Sequence, residues 1–134
     1  MDDYLEKVCE PGQTVNNLFT TLGVIVDSID AETCVLRLPV KPIILQGAQM
    51  VSGGILATLA DEAMAHCIIG GLKEGQITAT IEMNIRYLRG VKDGELIATA
   101  KIVRRGRTIV VAEAEVRKDD GTLLATAGAS FWVS

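Results

Sequence analysis

The chain has 134 residues, enough for one domain with a substantial core. It is 49% hydrophobic but only 4% aromatic, so that core is aliphatic, and a charged content of 22% excludes a disordered chain. A net charge of −4 excludes a general nucleic-acid binder, which would be basic, although a local cluster of arginines can still hold a small anion.

Residues 1–12 read as a mobile or lightly docked leader that ends at Pro11-Gly12. The leader is acidic and has no signal-peptide apolar stretch. A short helix is expected over Thr14–Thr21, with Thr14 as its N-cap and Gly23 as its end. Val24–Ile29 and Thr33–Val40 are β-rich runs around an Asp30-Ala31-Glu32 turn, and Pro39 and Pro42 end the second. Ile43–Val51 is a connector with a turn at Gln46-Gly47.

Met50–Gly71 is the stretch that organises the rest. It starts on small residues, runs without a breaker and stops at Gly70-Gly71, which predicts one helix. Being apolar or small on almost every side, it is expected to be buried on almost every side. Asp61, Glu62 and His66 interrupt it, so it is not a membrane span. A carboxylate buried there must be paired or hydrogen-bonded.

After Lys73-Glu74-Gly75 the period changes to two. Ile77, Ala79, Ile81, Met83, Ile85 and Tyr87 alternate with Thr78, Thr80, Glu82, Asn84 and Arg86, predicting a strand with an apolar and a polar face. Three more strands follow over Glu95–Arg104, Arg107–Arg117 and Thr122–Val133. Turns at Lys92-Asp93-Gly94, Arg105-Gly106 and Lys118-Asp119-Asp120-Gly121 separate them. Tight turns predict a four-strand antiparallel meander. The expectation is one α+β domain over residues 1–134, its sheet curled around one long helix.

Several residues could carry chemistry. Gly53 and Gly54 lack β-carbons, so a ligand can approach a helix start whose free N–H groups favour negative charge; a tight start to a crowded helix explains them equally. Asp61 lies two turns in and cannot be a cap, which leaves a satisfied buried carboxylate or a reactive one. Glu62 is about 100° round the helix from Asp61 and is spaced to pair with His66 as a structural couple. His66 is a lesser candidate base, and Cys67 has no histidine placed to activate it. Arg104, Arg105 and Arg107 crowd one turn, with Arg86 and Arg89 at the end of an earlier strand. They can hold phosphates or simply form a solvated, edge-protecting face. Cys9, Cys34 and Cys67 have no metal-ligand spacing and read as free thiols of a reducing compartment. With a single histidine, no zinc site is expected, and the protein is expected to be cytoplasmic.

The succession SGGILATLADEA, TATIEMNIRYLR and RRGRTIVVAEAEV resembles the hotdog-fold acyl-CoA thioesterases of the phenylacetate-pathway (PaaI-like) type, over about residues 14–133. The family's motif is an Asn, a short spacer, His-Gly-Gly and then an acidic residue on the central helix. The resemblance implies a hotdog fold and hydrolysis of an acyl-CoA thioester, with no metal and no cofactor beyond the coenzyme A of the substrate. It implies Asp61 as general base or nucleophile and the Gly53 N–H as oxyanion donor. Thr80 is implied near the attacking water, and Gln46 stands where relatives often carry Asn. Ser52 replaces the family's His and, with Gly54 and the five arginines, falls on the substrate-binding side. Active sites between two subunits imply a homodimer, paired into a homotetramer. The changes at Gln46 and Ser52 also raise a non-catalytic acyl-CoA or acyl-carrier binding protein. A hotdog dehydratase ranks last, because it wants a histidine with the acid and only His66 is available.

Overall fold

The computed structural model describes residues 2–134. In chain order they form helices α1 (Asp2–Val8) and α2 (Asn17–Leu22), strands β1 (Ile25–Ile29) and β2 (Thr33–Pro39), and a 3-10 turn at Pro42–Ile44. The central helix α3 (Gly53–Ile69) follows, then strands β3 (Thr78–Tyr87), β4 (Glu95–Arg105), β5 (Ile109–Lys118) and β6 (Leu123–Val133). The strands make one antiparallel sheet in the order β1-β2-β4-β5-β6-β3, and α3 packs across it. This is the α+β hotdog arrangement, a sheet wrapped around one helix.

The core is aliphatic, as the composition requires. Leu56, Leu59, Ala60, Ala63, Met64 and Cys67 of α3 are buried with Leu36, Leu38, Leu96, Val110, Val116 and Phe131 of the sheet. Each large side chain of this set contributes roughly 1.5–3 kcal/mol by leaving water. The alanines on both sides, among them Ala98, Ala100, Ala112 and Ala129, keep the helix close to the strands. One-residue bulges interrupt β1–β2, β4–β5, β5–β6 and β3–β6. Bulges raise local twist and bend a strand, and they help curl this sheet.

Four expectations need correction. The last four strands are not a simple meander: β3 pairs with β6, and β2 lies beside β4. Lys92-Asp93-Gly94 therefore belongs to a connection across the end of the sheet, where Val91 is buried and its carbonyl accepts from the Val51 N–H at 2.8 Å. The α2 cap is Asn16, not Thr14, because the Asn16 Oδ1 accepts from the Phe19 N–H at 3.0 Å. Residues 2–8 of the expected leader are helical, with Val8 buried and Tyr4 bonded to His66. Finally, α3 is not buried all round: Gly54, Ala57, Thr58, Asp61 and Ala65 form a partly exposed outer stripe. Gly70 keeps a right-handed conformation, and a β-carbon there would stand 2.5 Å from the Asp30 carbonyl oxygen. It is glycine because the chain passes so close.

Candidate active site

The start of α3 is built by Ser52. Its backbone is extended, its Oγ accepts from the Gly54 N–H at 3.2 Å, and its carbonyl accepts from the N–H groups of Ile55 and Leu56. Ser52 thus caps the helix, a role that serine fills well. The Gly53 N–H has no acceptor among the described residues. It is the free first-turn donor, at the positive end of the helix dipole. On the other side of Gly53, the Tyr87 hydroxyl donates to its carbonyl oxygen at 2.7 Å.

Asp61 lies eight residues on, about 12 Å along the axis. It is half-buried on the outer stripe, and its Oδ1 accepts from the Thr80 Oγ at 2.9 Å. Strict alternation would put Thr80 on the same face as Glu82 and Asn84. The bulge prevents that. Thr80 stands opposite Phe131 and Glu82 opposite Ser130, so two steps on β3 match one on β6 and Ile81 is the extra residue. Phe131 is buried, which places Thr80 on the helix side, while Glu82, Asn84 and Arg86 remain on the outer face. Plain alternation groups Thr80 with Glu82 and Asn84, and one extra residue re-aims it at the carboxylate.

Gln46 lies in the turn before the helix and is exposed. Its side-chain oxygen accepts from the Ala48 N–H, and its backbone N–H donates to the Met50 carbonyl at 2.8 Å. Gln49 completes this turn with a positive φ of 63°, the only described non-glycine residue in that region. Beside the turn is a cavity of about 410 Å³ that Met50, Arg89, Lys92 and Lys118 help to line. Arg86 instead lines an outer-face depression of about 680 Å³ with Glu82, Asn84 and Glu113. Arg104, Arg105 and Arg107 occupy the β4–β5 turn. Arg105 donates to the Ala31 carbonyl at 2.8 Å and lies against Gly71, at the opposite end of a helix about 25 Å long. The five arginines are therefore in three places within one chain.

Glu62 and His66 are brought together, but not chiefly as an ion pair. The His66 Nδ1 meets the Glu62 carbonyl oxygen at 2.8 Å and the Glu62 carboxylate only at 3.6 Å. A carbonyl can only accept, so Nδ1 carries the proton and Nε2 accepts from the Tyr4 hydroxyl at 2.7 Å. Asn16 Nδ2 in turn donates to the Tyr4 oxygen at 2.8 Å. Burial pushes the His66 pKa down, keeping it neutral, and Phe19 packs on its ring. Both nitrogens are occupied, so His66 does not serve Asp61. Burial, helped by the Asp61 charge, pushes the Glu62 pKa up. Burial also raises the Cys67 thiol to about 11, too high for a thiolate nucleophile. Sequence reasoning missed Tyr4, Asn16 and Tyr87: Tyr4 lies before the recognisable pattern, Asn16 is one of several polar residues around Thr14, and Tyr87 looks like an ordinary strand aromatic.

Residues 48–125 match the family model described as Thioesterase superfamily. The protein VNG_1336C of Halobacterium salinarum is 37% identical over 106 residues, covering 75% of this chain and 70% of its own length. The medium/long-chain acyl-CoA thioesterase YigI of Salmonella typhimurium is 25% identical over 97 residues, 63% of each chain. The solved structure of a phenylacetic acid degradation-related protein from Ralstonia eutropha superposes with a TM-score of 0.86 at 27% identity, covering 96% of this chain and 98% of that one. With the helix-start donor, the Asp61–Thr80 pair and the wrapped sheet in place, these matches establish that the chain belongs to the thioesterase superfamily, with the hotdog fold.

Proposed function

We propose that the protein hydrolyses acyl-CoA thioesters to a free acid and coenzyme A, at a site completed where two copies meet. The observation that carries this reading is the 2.9 Å bond from the Thr80 hydroxyl to Asp61. It fixes one carboxylate oxygen and leaves the other to take a proton from water or to attack the thioester carbon. The Gly53 N–H is the oxyanion donor, supported by the helix dipole. Gln46 orients the thioester or the water. Both Gly53 and Asp61 must stand about 3 Å from one reacting group. Along one helix they are about 12 Å apart, so Gly53 of one copy works with Asp61 of another. The edge strand β3, with exposed Ile81 and with exposed Ile77 just before it, supports a homodimer, and the outer sheet face offers a second surface for a tetramer. Arg89, which lines the cavity beside Met50 and Lys92, meets the coenzyme A phosphates in this reading. Arg86, Arg104, Arg105 and Arg107 contribute only across a subunit boundary.

The test is thiol release from short, long and aryl acyl-CoA esters. Asp61→Asn should cut turnover by ~10²–10⁴-fold with the fold intact, the range of a lost general base. Near-wild-type turnover in that variant sinks the assignment. A binding-only role is the second reading, favoured by Ser52 being engaged as a cap. It predicts tight binding of an acyl-CoA with no thiol released by the wild type.

A further inference from the structure

The proposed oxyanion donor is a glycine, and glycine by itself holds no fixed backbone rotation. The peptide before Gly53, which carries its N–H, is held by the Ser52 carbonyl accepting from the Ile55 and Leu56 N–H groups. The peptide after it is held from outside the helix, by Tyr87. Tyr87 is the last residue of β3 and, opposite buried Ala125, it faces the helix. Its hydroxyl donates to the Gly53 carbonyl oxygen at 2.7 Å. Its ring lies on the side of Gly53 where a side chain would grow: a β-carbon built there would stand 3.2–3.4 Å from Cζ, Cε1 and the hydroxyl oxygen.

Two neighbouring contacts tie the same segments together. The Val51 N–H donates to the Val91 carbonyl at 2.8 Å, and the Met50 side chain lies against the α-carbon of Gly90. The 87–91 segment thus already grips the chain on the way into α3 without the tyrosine hydroxyl. Within one chain Tyr87 stays 50% exposed, its ring beside Gly53.

We infer that Tyr87 is a positioning residue for thioester hydrolysis. Its hydroxyl locks the rotation of Gly53, and its ring walls one side of the approach to the Gly53 N–H. This inference rests on the thioesterase reading above. A positioning bond of this kind acts on the transition state, where charge develops on the thioester oxygen, more than on the bound substrate. Loss of the bond should therefore appear in kcat and not in KM.

The experiment compares wild type, Tyr87→Phe and Tyr87→Leu by steady-state thiol release and by thermal melting. Tyr87→Phe keeps the ring and should lower kcat about tenfold, equivalent to about 1.4 kcal/mol. Its KM should stay within about twofold and its melting temperature should be nearly unchanged. Tyr87→Leu removes the aromatic wall as well and should raise KM in addition. Unchanged kcat in Tyr87→Phe overturns the inference while leaving the thioesterase reading intact. A kcat loss that merely follows a drop in melting temperature overturns it too, because that is an anchor's behaviour. A wild type that releases no thiol overturns the activity assignment and this inference with it.

Discussion

Thr80 shows how much one side chain's function depends on a single inserted residue. The Ile81 bulge turns Thr80 from the outer face to the helix side, where its hydroxyl reaches Asp61. Asp61 was legible in the sequence because a carboxylate two turns into an apolar helix is anomalous. The orientation of Thr80 was not, since alternation of apolar and polar residues runs through the bulge unbroken from Ile77 to Arg86. Glycines and charges often betray a bulge, and here there is only an isoleucine that ends up exposed. The arginines were legible as a charge cluster, but their separation into three places depends on strand order. Thr80→Val keeps the shape and removes the donor. Turnover should fall about tenfold, the cost of a hydrogen bond to a charged group at the lower end of its range. Circular dichroism should be unchanged. A Thr80→Val enzyme with full kcat would show that Asp61 needs no such orientation.

Among the elements, α1 and α2 are locked to α3 by one polar chain. Asn16 caps α2 and donates to Tyr4 of α1, and Tyr4 donates to His66 of α3. The leader was unreadable as structure because α1 is only seven residues long and a helix of that length forms only when tertiary contacts hold it. Those contacts make stability depend on pH in two opposing ways. Burial lowers the His66 pKa from its ordinary 6.5, so the unfolded chain takes up a proton that the folded one refuses. Stability is therefore lost as pH falls below about 6.5. Burial and the Asp61 charge raise the Glu62 pKa from its ordinary 4.5, so the folded chain takes up its proton first. This adds stability as pH falls toward 4.5 and partly offsets the histidine. In Glu62→Gln only the histidine effect remains, so the melting temperature should fall more steeply between pH 6.5 and 4.5 than in wild type. Parallel melting-temperature curves for the two proteins would show that Glu62 titrates normally.

For the molecule as a whole, the sequence conveyed the layers but not their order. Tight turns correctly joined β4, β5 and β6, whereas the seven residues from Leu88 to Gly94 could serve as a hairpin or as a crossing. They cross, which leaves β3 as an edge strand, paired only with β6, beside the outer stripe of α3. Thr80 and Asp61 lie along that seam, where a second copy would cover them. If the proposed site is shared across a two-fold dimer, each subunit gives the donor to one site and the carboxylate to the other, and a mixing experiment decides it. Asp61→Asn removes the carboxylate. Gly53→Pro removes the N–H at the first helical position, where proline is tolerated, at the expense of a small shift of the Tyr87 ring. Each variant alone should be inactive. Mixed and allowed to exchange subunits, half of the dimers pair the two variants, and one site in each regains an intact Gly53 and an intact Asp61. Thiol release should then recover to about a quarter of the wild-type value. If Gly53 and Asp61 of the same chain served one site, every site in the mixture would lack one group and no activity would return. Recovery in the mixture, with none in either variant alone, would place the donor and the carboxylate on different copies.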